Sequence, residues 1–205
     1  MNNDAWPNLV AMFFAQAAAN GDAPFLWSKH GGAYRPQSWR AVADEVSALS
    51  RGLRAAGVAR GERVALVSEN RPNWAVADLA IMAAGAVTVP AYDTNTVDDH
   101  RHVLADSGAA AAIVSTPDLA ARLLPAAAEA PGVRFVVAME PPDADTHGVA
   151  VKDWGDVVAE GRGQADDLAG LVAGIGRSDL ACLIYTSGTG GRPKGVMLSH
   201  AAILC

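Results

Sequence analysis

The sequence predicts an α/β fold in which repeated βαβ units build a mainly parallel sheet with helices on both faces. Three observations predict it. From Arg63 onward, runs with strand character begin about every 23 residues, the spacing of a strand, a crossover helix and the next strand. The segments between those runs carry helix-start signals, Pro72, Thr96 and the pair Thr116-Pro117. A further apolar run, Leu180 to Ile184, reads as a buried strand of such a sheet and leads straight into a glycine-rich loop. Crossovers of this kind are right-handed, which distributes the helices over the two faces.

The first part of the chain, residues 1–62, reads as helices and a hairpin. Asn8 to Ala19 is an apolar helix stopped by Asn20-Gly21. Ala23–Ser28 and Ala33–Arg35 are strands around a Lys29-His30-Gly31-Gly32 turn. Ser38 caps a helix whose Trp39, Val42, Val46, Leu49 and Leu53 share one face, and Gly57 ends it.

Residues 63–138 are the βαβ repeats, with strands at Arg63–Ser68, Ala86–Pro90, Ala109–Val114 and Val133–Ala138. The intervening helices are Pro72–Ala84, Thr96–Ser107 and Pro117–Ala130. Residues 139–179 are a connector: a Pro- and Asp-rich loop over Glu140–His147, a short helix over Asp153–Glu160, and a Gly-rich stretch with another short helix. Residues 180–205 hold the strand, the loop, a second short strand at Val196–Leu198 and a helix start capped by Ser199.

Composition bounds the function. Of 205 residues, 51% are hydrophobic and 19% charged, values of a globular chain. A net charge of −6 argues against nucleic acid as a main partner, so an anionic ligand needs locally supplied positive charge. Leu9–Ala19 lacks the preceding basic residues of a signal peptide, and the apolar run Leu79–Ala91 is too short to span a bilayer. A cytoplasmic protein with at most peripheral membrane contact is expected. Cys182 and Cys205 have no metal-ligand spacing and are expected as buried free thiols.

The loop Tyr185-Thr186-Ser187-Gly188-Thr189-Gly190-Gly191-Arg192-Pro193-Lys194-Gly195 carries the chemistry. Gly188, Gly190, Gly191 and Gly195 let the backbone turn and approach a ligand closely. Thr186, Ser187 and Thr189 offer hydroxyl donors, Lys194 a full positive charge, and Arg192 a second. Pro193 stiffens the loop exit. This set suits a polyphosphate, yet it is not a Walker A loop: Lys194 is followed by glycine and a strand, not by Ser/Thr and a helix.

From Tyr185 through His200 the sequence resembles the phosphate-binding signature of the adenylate-forming superfamily, most closely medium- or long-chain fatty acyl-CoA synthetases. Glu69-Asn70-Arg71-Pro72-Asn73-Trp74 looks like a weaker hallmark of that family. Gly190 departs from it, standing where the family more often has threonine. The resemblance implies that Thr186, Ser187, Gly188, Thr189, Gly190, Gly191 and Lys194 contact the phosphates of ATP. Lys194, Thr186 and Thr189 would stabilise the charge that develops on the leaving pyrophosphate. It further implies activation of a carboxylic acid, a fatty acid first, to an acyl-adenylate and then to a thioester of coenzyme A. Mg2+ is the implied counter-ion for ATP, with its glutamate ligand, the adenine pocket and the C-terminal catalytic lysine beyond Cys205. The chain is accordingly expected to be the incomplete N-terminal part of a larger adenylate-forming domain, inactive alone, with strand edges exposed to self-association. An aryl or amino-acid adenylating enzyme and a non-catalytic nucleotide-binding module are the alternative readings.

Other polar residues read more plainly. His100 and His102 are two apart on a helix, point to different faces and cannot chelate a metal together, so no metal site is assigned. His100 is expected as a hydrogen-bonded, semi-buried histidine, and His200 as a helix-cap neighbour. Asp98-Asp99 and Asp166-Asp167 are expected to be solvated. Glu69 and Asn70 are expected to shape a turn, and Trp27, Trp39, Trp74 and Trp154 to serve packing.

Overall fold

The computed structural model describes residues 6–143, 145–186 and 191–205. The chain opens with α1 (Leu9–Asn20), the hairpin β1 (Pro24–His30) and β2 (Ala33–Ser38), and α2 (Trp39–Ala55). The alternating region follows: β3 (Arg63–Val67), α3 (Pro72–Ala83), β4 (Val87–Ala91), α4 (Val97–Ser107), β5 (Ala109–Val114), α5 (Pro117–Glu129) and β6 (Val136–Ala138). Then come β7 (Val151–Asp153), α6 (Trp154–Gly163), α7 (Leu168–Ala173), β8 (Leu180–Thr186), β9 (Lys194–Ser199) and α8 (His200–Leu204).

Seven strands form one sheet in the order β7-β6-β5-β3-β4-β8-β9, parallel except for the antiparallel edge pair β8–β9. The α/β class and the mainly parallel sheet are as the sequence predicts. β3 shows why both faces are covered. Val64 and Leu66 point into a core built with α1, α2, α3 and α6. Ala65 and Val67 point the other way, into a core with Leu104 of α4 and Leu119, Leu123 and Leu124 of α5. A strand buried on both faces has no polar side to alternate with, hence its unbroken apolar sequence.

The caps set the helix starts. Asn8, Ser38, Thr116 and Ser199 each accept a backbone N–H three residues on, and Thr96 forms a reciprocal capping box with Asp99. Several expectations need correction. Asp166 is not simply solvated: its carboxylate takes the guanidinium groups of both Arg51 (2.7 Å) and Arg54 and ties the connector to α2. Asp99 and Asp167 are exposed as expected and also serve as helix-start groups, Asp99 in the capping box of α4 and Asp167 as the N-cap of α7. Helix α8 is supported by the body of the fold, since His200 and Leu204 are buried and Leu9 N–H reaches His200 Nδ1 at 3.4 Å. Cys182 is buried but Cys205 is exposed.

Two titratable groups, the half-buried Asp78 and the buried His100, oppose each other. Asp78 of α3 borders an apolar hollow of about 320 Å3 with Phe13, Leu79, Met82 and Cys182, and loss of water around it pushes its carboxyl up to about 6. His100 is fully buried, not semi-buried, and its Nε2 has no hydrogen-bond partner among the described residues. Burial lowers its imidazole to about 4. Above its ordinary pKa near 4, Asp78 holds a proton only in the folded chain until about pH 6, so its contribution to stability is lost as pH rises through that window. Between about 4 and 6.5 His100 holds a proton only in the unfolded chain, so its contribution is lost as pH falls. The two trends oppose each other, and burial of His200, which also lowers its imidazole, adds to the second. Asp78→Asn is therefore expected to unmask a stability that climbs by about 1.4 kcal/mol per pH unit between roughly pH 4.5 and 6. Urea unfolding across that range measures it, and a slope unchanged by the substitution would contradict the assignment.

Candidate phosphate-binding hairpin

Strand β8 is second from the sheet edge, and its burial follows from its sequence. Leu183 and Tyr185 pack beneath Val87 and Val89 of β4 and Val103 of α4. The chain returns antiparallel as β9, with Tyr185 opposite Gly195 and Thr186 opposite Lys194. Thr186 and Lys194 are the last paired residues, both exposed, so they flank the mouth of the hairpin at the carboxyl end of β8. Ligands of open α/β sheets characteristically bind at that end of the strands.

Of the residues singled out from sequence, Thr186, Gly191 and Lys194 lie within the described structure, while Ser187, Gly188, Thr189 and Gly190 lie outside the described residues. Gly191 has φ 115°, a conformation side chains rarely adopt, with open space where a Cβ would stand. Gly195 is glycine for a different reason: a Cβ there would meet the Tyr185 ring at 3.2 Å. The phenol beneath it donates from Tyr185 Oη to Asp106 Oδ2 at 2.7 Å. Burial, and then that contact with Asp106, raise the phenol's pKa above its usual value.

Two hollows lie at the carboxyl ends of the parallel strands. One, of about 380 Å3, is bordered by Ser68, Ala91, Tyr92 and Ile184, the residues at or next to the ends of β3, β4 and β8. The other, of about 960 Å3, lies between the β1–β2 hairpin and the turn after β3. Asn70 and Trp74 line both. The turn between β3 and α3 is held by Glu69 N–H on Ser115 Oγ (3.4 Å) and by Arg71 Nη1 on Glu140 Oε1 (2.7 Å). Glu69 therefore helps hold the turn as expected, and both Glu69 and Asn70 border open space.

The tryptophans divide. Trp39 stacks on Phe25 at 3.6 Å and Trp154 is buried with its N–H on Glu45, so these two serve packing. Trp27 does not: it is 53% exposed and faces the larger hollow, because β1 belongs to a two-stranded sheet with one open side.

Sequence reasoning missed His102 and Asp106, which meet the hairpin from α4. His102 Nε2 lies 2.8 Å from the Pro193 carbonyl oxygen, and its ring stands edge-on to Tyr185. Their spacing, one turn apart on a helix adjoining the loop strand, was the available signal. No group of three or more His, Cys, Asp or Glu suited to a metal occurs among the described residues. No step is assigned to a magnesium ion. No helix among the described residues is long and apolar enough to cross a membrane.

With this geometry in hand, the likeness to known proteins is informative. The model of the AMP-binding enzyme family matches residues 13–205. The long-chain-fatty-acid–CoA ligase FadD15 of Mycobacterium tuberculosis is 32% identical over 201 residues, covering 96% of this chain and 32% of that enzyme. A feruloyl-CoA synthase of an Amycolatopsis species is 36% identical over 172 residues, covering 84% of this chain and 30% of that enzyme. The anthranilate CoA ligase AuaEII, solved with anthranoyl-AMP, superposes with a TM-score of 0.79 at 21% identity, covering 98% of this chain and 36% of that one. The chain spans about a third of the length of the curated relatives it matches. It belongs to the family of AMP-binding enzymes.

Proposed function

We propose that this chain supplies the phosphate-gripping part of an AMP-forming acyl-CoA ligase whose acid substrate is a fatty acid. In that reaction a carboxylate oxygen attacks the α-phosphorus of ATP. The bond to the pyrophosphate oxygen breaks, and negative charge gathers on the departing β- and γ-phosphates. A thiol, that of coenzyme A, then displaces AMP and forms the thioester. The observation that carries the reading is the hairpin mouth, where Thr186 and Lys194 pair across the ladder at exposed positions at the carboxyl end of β8. Fixed donors placed where charge develops are the largest source of catalysis in such transfers. The larger hollow is bordered by Trp27 and Trp74 together with polar and charged residues such as Lys29, Asn70 and Arg71, so it does not itself select an apolar acid.

The fatty-acid choice rests on FadD15 and the motif through His200. An aryl acid is the second reading, favoured by the feruloyl-CoA synthase and the anthranilate CoA ligase. Calorimetric titration of the 205-residue chain with ATP tests the phosphate role: binding is expected, and its absence would contradict it. No pyrophosphate release from ATP and a fatty acid is expected from this chain alone, since the relatives are about three times its length. Pyrophosphate exchange across fatty, aryl and amino acids by a chain of the relatives' length separates the two acid classes.

A further inference from the structure

The hairpin mouth is gripped from one side by a single helix. Helix α4 presents His102 and Asp106, one turn apart and therefore on one face, to the β8–β9 hairpin. Asp106 Oδ2 accepts the Tyr185 hydroxyl at 2.7 Å, which pins the strand entering the loop. The Tyr185 ring lies against the Gly195 backbone, close enough that a Cβ would meet it at 3.2 Å, so the same phenol braces the strand leaving the loop. His102 Nε2 meets the Pro193 carbonyl at 2.8 Å. A carbonyl oxygen only accepts, so Nε2 carries the hydrogen and donates it. The His102 ring stands edge-on to Tyr185, 5.9 Å between centroids at 85°, closing a triangle of side chains. The helix that carries them is itself anchored, by the Thr96–Asp99 capping box and by Arg101 on Glu129 at 2.6 and 2.9 Å.

We infer that His102 and Asp106 are positioning residues for the phosphate-binding loop, His102 fixing the backbone of Pro193 and so the place of the Lys194 side chain that follows it. Neither side chain needs to touch the nucleotide. This assignment rests on the reading of the hairpin as a phosphate grip, but the first arm of its test does not depend on nucleotide.

Trypsin provides the test in the 205-residue chain. The Arg192–Pro193 bond resists trypsin because proline follows, leaving Lys194–Gly195 as the cleavable bond at the loop exit. Removing the donor with His102→Ala is expected to speed cleavage there about five- to tenfold, the weight of one hydrogen bond, while the thermal midpoint stays close to that of the unaltered chain. His102→Gln, whose side-chain amide donates at similar reach, is expected to stay within about twofold of the unaltered chain. His102→Met keeps the volume without the donor and should behave like His102→Ala, which protects the test if the alanine variant fails to fold. Cleavage unchanged in the donor-less variants, or equally fast in His102→Gln, would overturn the inference. In a second arm, ATP affinity should fall at least about threefold in the donor-less variants. An opened loop with unchanged ATP affinity would overturn the positioning role. If the unaltered chain binds no ATP, the phosphate reading fails, and the cleavage rates alone decide the grip of α4.

Discussion

Replacing Lys194 with alanine is expected to weaken ATP binding about ten- to a hundredfold, the loss of one charge-assisted hydrogen bond to a phosphate oxygen. The magnitude follows from where the ammonium stands. Lys194 is exposed at the last rung of the β8–β9 ladder, with Thr186 opposite and Gly191 turning the chain just before it. The net charge of −6 repels a polyphosphate at long range, so a local cation weighs more here than on a basic protein. Lys194→Arg keeps the charge but places a broad planar fork where a compact ammonium stood, and should recover affinity only in part. Lys152→Ala removes a charge from β7, at the opposite edge of the sheet, and should change nothing. Calorimetry on the four proteins at one ionic strength is the measurement, and equal affinity for Lys194→Ala and the unaltered chain would remove the charge role.

A substitution far from the loop should do the most damage to the fold. Helices α2 and α6 cross so closely that a methyl group on Gly161 would overlap the Ala48 carbonyl oxygen, and one on Gly52 would overlap the Val157 carbonyl. Backbone cannot swing aside as a flexible side chain does. Gly161→Val is expected to destabilise the chain by about 3 kcal/mol or more, in the upper range for overpacking. Gly163→Ala, two residues on in the same helix and with nothing within 4 Å of its would-be Cβ, is expected to be neutral or stabilising by about 0.5 kcal/mol. Urea midpoints for the pair separate steric overlap from helix propensity, which would favour both substitutions. Similar stability for the two variants would contradict the close crossing.

The contrast between these two sites explains what could be read from sequence. The loop announced itself because glycine, hydroxyl, proline and lysine fall together within a few positions. The repeats from β3 to α5 were equally plain, since buried parallel strands are apolar throughout and Thr96 and Thr116 mark helix starts. The Gly52–Gly161 crossing was silent, because nothing local shows that two glycines more than a hundred residues apart meet.

The same limit hid several other features. Strand β7 has three residues and exists only because it pairs with β6. Val133 was assigned to a strand on its side chain, but its N–H closes a turn on the Ala130 carbonyl and the strand begins at Val136. Strand β2 runs through Pro36 to Ser38 where the sequence suggested a stop, because a two-stranded sheet leaves proline an unpaired side. Helical spacing alone separates His102 from His100 only by face. Their true difference is tertiary: one faces the hairpin and the other is sealed in the core.

The most direct test asks where ATP lies. Amine-reactive footprinting of the 205-residue chain reports on Lys194 at the hairpin mouth, on Lys29 beside the larger hollow and on Lys152 at the far edge of the sheet. With ATP present, Lys194 alone should be shielded and the other two should react as before. Shielding of Lys29 with Lys194 left fully reactive would place the phosphates elsewhere and contradict the phosphate role of the hairpin.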